Sequence, residues 1–357
     1  MLSKPGTTTF NEIMEQAASW KTVLETLEER REELTGWLRS EKFGQVVLIG
    51  CGASYCAALS AARVFHTISG LNAFAIPASE ILYASRPPYD IRIKTLLIAI
   101  SRSGATSETV WATEKLKKMD TRLRALAVVC THNAELKPLC DQTLALRMAY
   151  EETVVATSSF TSSLIALQML AAWIGGNATL PAELARLPEL FEVRKYQLEI
   201  QRAVALKSQH ITFLGGGAAY GIAAYNALAV REMASVSSDF MHLMEFRHGS
   251  HSAVGPGTLI VSYLSDTMRK AEEELIREVA VMRGPRLIVC SEADQRTKMG
   301  SEVVLELGQA VSEMPRICLA APLAQILAFY LAINRGVNPD RPKHVQPVVK
   351  LKEKPAI

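Results

Sequence analysis

Leu48-Ile-Gly-Cys-Gly-Ala-Ser-Tyr55 returns 165 residues later as Phe213-Leu-Gly-Gly-Gly-Ala-Ala-Tyr220. Two further pairs follow at similar offsets: Leu97–Ser101 with Ile260–Ser265, and Ala125–Cys130 with Pro285–Cys290. Each is a short apolar run that stops at a small residue. A strand buried on both faces of a parallel sheet and feeding a loop has this pattern. Helix-like stretches, Tyr55–Ile68 and Glu108–Lys118, lie between the runs of the first half. Strands alternating with helices, met twice, confine the chain to a duplicated α/β unit. The period is far too long for a solenoid.

The 357 residues fit two domains of ~150 residues each. Apolar residues make up 49% and charged residues 21%, which suits a globular rather than a disordered chain. Lys+Arg at 39 against Asp+Glu at 36 leaves +3, too balanced for a nucleic-acid stripe or a membrane patch. No basic leader with an apolar core opens the chain, and no apolar run approaches ~18 residues, so neither secretion nor membrane spanning is expected. The six cysteines form no CxxC pair and read as reduced thiols of a cytoplasmic protein.

Ile13, Ala17, Trp20, Leu24 and Leu27 recur at helical spacing and predict an amphipathic N-terminal helix over residues 1–35. Strands are expected at Gln45–Gly50, Thr95–Ile100, Ala125–Cys130 and Leu144–Leu146. A helix apolar nearly all round is expected over Ser159–Ile174, and a more polar one over Glu192–Lys207. These give a first α/β domain over 36–190, a second over 191–335 and a tail over 336–357. Both domains are expected to be doubly wound with parallel sheets.

The halves differ where chemistry would sit. Ser101-Arg-Ser-Gly-Ala-Thr-Ser-Glu-Thr109 follows a strand and precedes a helix. It offers the hydroxyls of Ser101, Ser103, Thr106 and Ser107, a glycine for close approach, and a helix N-terminus, which together suit an anion. Gly52-Ala53-Ser54 lies at the same carboxyl edge. Such loops are also common helix starts, but the counterpart Ser265-Asp-Thr-Met-Arg-Lys270 lacks the glycine and puts Asp266 where an anion would be repelled. The first half is therefore the expected anion binder. Neither glycine cluster is a dinucleotide fingerprint, since Tyr55 and Tyr220 stand where the third glycine belongs, and no P-loop occurs.

The second half carries the acid–base candidates. Glu232 lies near the end of a largely apolar helix, where a carboxylate is either paired, with Arg231 or Arg247, or catalytic. His248 follows in a glycine-containing loop and can act as a general acid at neutral pH. His242, His248 and His251 fit no standard zinc spacing.

Gly50-Cys-Gly-Ala-Ser-Tyr55, Ser101-Arg-Ser-Gly-Ala-Thr106 and Glu232 with Arg247-His-Gly249 together resemble the double sugar-isomerase (SIS) domain proteins. Among these are the isomerase half of glucosamine-6-phosphate synthase, SIS-type glucosamine-6-phosphate deaminases and fructosamine-6-phosphate deglycases. The resemblance implies two tandem flavodoxin-like SIS domains. It implies that Ser54, Ser101, Ser103 and Thr106 hold a sugar phosphate, and that Arg102, where synthases usually have glutamine, adds a charged contact. Val154 and Thr157 fall in the loop that lines the sugar. Glu232 takes the place of the base that moves a proton between C1 and C2. His248 takes the place of the ring-opening histidine, given across a homodimer interface.

The resemblance further implies a phosphosugar isomerase or deaminase, first of all one converting glucosamine-6-phosphate to fructose-6-phosphate and ammonia. The alternatives are aldose–ketose isomerisation, deglycation of a fructosamine phosphate, and a non-catalytic phosphosugar sensor. No metal or organic cofactor is implied, and no glutaminase domain is expected. One departure stands out. Aligning the tail through Asp340-Arg-Pro342 puts Pro347 where the synthases have their Schiff-base lysine, with Lys343, His344 and Lys350 out of register.

Overall fold

The computed structural model describes residues 4–355. Three helices open it: α1 (Thr7–Met14), α2 (Gln16–Glu29) and α3 (Arg31–Glu41). The single N-terminal helix expected over 1–35 is thus broken at Glu15 and Arg30, without a glycine or proline. The first break separates two compact units. One comprises Gln16–Glu152, Ser158–Pro188 and the described tail from Gln346. The other joins the N-terminal residues through Glu15, Thr153–Thr157 and Glu189–Val345. This interleaved division runs otherwise than the contiguous one, 1–35, 36–190, 191–335 and 336–357, at both chain ends and at Thr153–Thr157.

The first-sheet unit continues with β1 (Gln45–Gly50), α4 (Ala53–Ser69), β2 (Asn72–Pro77), α5 (Ala78–Tyr83), β3 (Thr95–Ser101), α6 (Ser107–Met119), β4 (Arg124–Val129) and β5 (Gln142–Ala145). It closes with α7 (Ser158–Gly175) and two short helices, α8 (Thr179–Ala185) and α9 (Leu187–Leu190). The strands pair in parallel in the order β2-β1-β3-β4-β5. β1 and β3 are buried at every position, because helices cover both faces. Val47, Ile49, Leu97, Ala99 and Ala127 pack with Ile81, Val110 and Leu116. Trp20 seats α2 on α7 by donating from Nε1 to Thr161 Oγ1 at 2.9 Å.

The second-sheet unit holds α10 (Gln197–Ala205), β6 (His210–Gly215), α11 (Ala219–Ala234), β7 (Ser237–His242), β8 (Thr258–Tyr263), α12 (Arg269–Val281), β9 (Arg286–Cys290), α13 (Gln295–Met299), β10 (Val303–Glu306) and α14 (Glu313–Asn334). Its order, β10-β9-β8-β6-β7, repeats the first sheet's arrangement and is again all parallel. The helix expected over Glu192–Lys207 is a 3-10 turn, Val193–Tyr196, followed by α10. The tighter turn carries Tyr196, whose hydroxyl donates to the Glu306 carbonyl. Asp340, far along the chain, caps α1 by accepting from the backbone N–H groups of Gly6 and Thr9, both at 2.8 Å.

By length and composition α7 and α14 could cross a bilayer, contrary to the expectation that no apolar run approaches that length. Their apolar spans are 89% and 83% buried within the protein itself.

Candidate active site

In a doubly wound sheet ligands settle beyond the strands' carboxyl ends, where the chain's winding reverses. In the first sheet that point lies between β1 and β3. Ser54 follows β1 in the first turn of α4, half-buried against Gly50. A Cβ on Gly50 would come within 2.8 Å of Ser54, so the turn needs glycine there.

Across the crevice the loop after β3 is folded on its own hydroxyls. Ser101 Oγ accepts from Gly104 N at 3.1 Å and lies 3.4 Å from Thr106 Oγ1. Ser103 Oγ accepts from Ala105 N at 3.2 Å. Gly104 has φ +62°, and a Cβ on it would lie 2.3 Å from Ala134 Cβ. Only glycine fits both demands. α6 then begins with its positive end at this edge. Ser54, Ser101, Ser103 and Thr106 therefore share one sheet edge.

Arg102, in the same loop, is bonded to two other parts of this unit. One guanidinium nitrogen lies 3.2 Å from Glu151 Oε2 and another donates to the Pro347 carbonyl at 3.2 Å. The Glu151 carboxylate, 1% exposed, also accepts from Ser159 N and Ser159 Oγ at 2.8 and 2.6 Å, capping α7. Sequence reasoning missed Glu151 as a partner of Arg102, because the two lie 49 positions apart.

The tail lies on the same unit. Ser107 N donates to the Val349 carbonyl at 3.2 Å, and Leu351 N to Ser107 Oγ at 3.0 Å. Lys350 pairs with Glu135 and Lys354 with Glu114. Cys51, on the same edge, is no nucleophile at neutral pH, because burial pushes its thiol up to about 11.

The remaining candidates belong to the second-sheet unit. Glu232 is half-buried near the end of α11. Arg231 donates to the Ser238 carbonyl at 3.1 Å and Arg247 pairs with Glu278 at 3.0 Å. His248 is exposed, just past a 3-10 turn over Met244–Arg247. Val154 and Thr157 sit in the 153–157 segment, where the Thr157 carbonyl accepts from Gln325 Nε2 at 3.2 Å.

At this sheet's corresponding edge the protein's own charges pair with one another. Asp266 accepts from Arg316 and Ser291 Oγ, both at 2.7 Å, and from Arg269 at 3.3 Å. Burial works against its carboxylate, but the hydrogen bonds from Arg316 and Ser291 and the nearby arginine charges outweigh it and hold its pKa below the usual value. The fully buried Glu272 accepts from Ser265 N at 2.6 Å, and burial pushes its carboxyl above the ordinary value. Among the described residues no group of three or more His, Cys, Asp or Glu side chains could hold a metal ion, and all six cysteines are free thiols.

Fold and edge chemistry together define a twice-built α/β protein with a hydroxyl-lined loop at the carboxyl edge of its first sheet. Residues 38–173 match the SIS domain family, and the second sheet repeats the strand order of the first. The isomerizing glutamine–fructose-6-phosphate aminotransferase of Pyrococcus horikoshii is 28% identical over 313 residues, which is 85% of this chain and 51% of the relative. The chain thus spans about half the length of the curated relatives it matches. The solved glucosamine-6-phosphate deaminase of Thermotoga maritima is similar at 27% identity and a TM-score of 0.80, covering 97% of this chain and 100% of that one. The tagatose-6-phosphate ketose/aldose isomerase of Escherichia coli shares the fold, with a TM-score of 0.86 at 21% identity, over 99% of this chain and 100% of that one.

Proposed function

We propose that the chain is a phosphosugar isomerase of the deaminating kind, converting glucosamine-6-phosphate and water to fructose-6-phosphate and ammonia. The observation that carries this is the likeness to the Thermotoga deaminase, which runs through 97% of this chain. The hydroxyl cradle after β3 supports a phosphate as the anchoring group. His248 opens the ring by proton transfer at the ring oxygen. Glu232 takes the C2 proton, leaving a C1–C2 double bond with oxygen on C1 and nitrogen on C2. Returning the proton to C1 gives an aldehyde-derived alcohol at C1 and an imine at C2. Water adds to the imine and ammonia leaves, so nitrogen and protons balance. The substrate supplies its own nitrogen, and no lysine at position 347 is required. The exposed position of His248 is compatible with a homodimer in which it serves its partner's site. Reduced cysteines fit work in the cytoplasm.

Ammonia release from glucosamine-6-phosphate, followed with a coupled assay, tests the proposal. Glu232→Gln is expected to lower turnover by about 10²–10⁴-fold, with phosphosugar binding retained in a thermal-shift measurement. Near wild-type turnover in Glu232→Gln overturns the mechanism. Turnover of aldose phosphates without ammonia would reassign the chain to aldose–ketose isomerisation, and stabilisation by phosphosugars with no turnover would make it a sensor.

A further inference from the structure

Within the second-sheet unit, three side chains hold the 153–157 segment by its backbone. Glu12 accepts from Thr153 N at 3.3 Å and from Thr153 Oγ1. The Tyr225 hydroxyl donates to the Ala156 carbonyl at 2.5 Å. Gln325 Nε2 donates both to the Thr157 carbonyl at 3.2 Å and to Tyr225 Oη at 2.8 Å. The two carbonyls can only accept, so the direction of this relay is fixed: the amide gives one hydrogen to the phenol, and the phenol gives its own to Ala156.

Tyr225 is 1% exposed and Gln325 is fully buried. Polar groups are placed so deep at a cost of kilocalories unless hydrogen-bonded, and α11 and α14 are otherwise largely apolar there. Packing alone would be served as well by phenylalanine and leucine. The hydroxyl and amide are therefore explained by what they hold, which is the segment containing Val154 and Thr157. Glu232 stands seven residues beyond Tyr225 on α11. That is two turns further along the same helical face, about 10 Å in rise. One helix thus carries both the candidate base and the clamp on the candidate sugar loop.

We infer that Tyr225 and Gln325 are positioning residues, which fix the 153–157 segment in register with Glu232 and so set how tightly an amino sugar phosphate is held. The ligand in this inference rests on the proposed function; the clamp itself does not.

The experiment has two readouts on the full chain. Backbone amide exchange over residues 151–160 is measured without ligand in the wild type, Tyr225→Phe, Gln325→Met and Thr153→Val. The last leaves both helices untouched and guards against a folding defect in the others. Exchange of the segment is expected to quicken at least about tenfold in all three variants. Steady-state kinetics with glucosamine-6-phosphate should show KM raised about tenfold, kcat changed less than about threefold, and an unaltered pH profile of kcat, because Glu232 is untouched. Unchanged exchange overturns the clamp. Faster exchange with wild-type KM overturns the link to substrate. A wild type that neither binds nor turns over any phosphosugar defeats the proposed function instead, and the exchange result still decides whether the clamp exists.

Discussion

The loop after β3 and the loop after β8 occupy equivalent places in two sheets of the same strand order, yet one is crossed by the chain's own tail and the other is laced by its own ion pairs. After β3 come a serine, an arginine turned away to Glu151, a second serine and a glycine in the left-handed region. After β8 the matching positions are Ser265, Asp266, Thr267 and Met268. Asp266 is clasped by Arg316, Ser291 and Arg269, while Glu272 takes the Ser265 N–H. A carboxylate of the protein thus meets a backbone donor in the second half, whereas a tail carbonyl meets Ser107 N in the first. The scaffold is built twice, and the two loops differ at Arg102 and Asp266, Ser103 and Thr267, and Gly104 and Met268.

The largest test moves the second half's charge into the first. Arg102→Asp leaves Glu151 without its cation and adds a second carboxylate beside it. Breaking a pair this enclosed is expected to cost about 3–5 kcal/mol of stability, read by denaturant unfolding. Phosphosugar affinity should fall about a hundredfold or more in the same variant, read by calorimetry, and retained affinity would break the comparison.

Next is Gly104→Met, which copies Met268. With φ +62° and Ala134 Cβ 2.3 Å from the new Cβ, a loss of about 2–3 kcal/mol is expected. The reverse change, Met268→Gly, falls on a residue 44% exposed and should stay within about 0.5 kcal/mol.

A modest effect is expected of Asp266→Asn. Its side chain is 38% exposed, so solvent screening limits the loss to about 1 kcal/mol, with phosphosugar affinity unchanged. The Asp266 pKa is lowered in the folded protein. Its contribution is therefore complete above the unfolded value near ~3.9 and is lost as pH falls through the folded one. The variant should lack that part of the acid-induced loss of stability, measured by thermal unfolding from pH 6 down to about pH 3.

Buried central strands were legible in the sequence because two covered faces leave an uninterrupted apolar run. Gln45–Gly50 is β1 to the residue, and Thr95–Ile100 falls one residue short of β3. The edge strands β2 and β7 escaped notice, since some of their positions are exposed, and Asn72, Ser237 and Asp239 break any pattern. α14 has no polar stripe and so no period to read. At the site, Ser54, Ser101, Ser103 and Thr106 could be found because the loop's own order encodes its turn. The engagement of Arg102 by Glu151 and Pro347 could not, nor could the clamp of Tyr225 and Gln325 on the 153–157 segment. Those bonds join positions 49 to 245 residues apart, and spacing along a chain carries no trace of them.

The interleaving of the two units bears on synthesis. At about 5–20 residues per second, roughly 10–30 s pass between translation of Pro188 and that of Gln346, which belongs to the same unit. During that interval the nascent first-sheet unit has Ser107 and Arg102 in place but not the strand of backbone that covers them. Ser107 N and the Arg102 guanidinium therefore wait for the tail's carbonyls until synthesis is nearly complete.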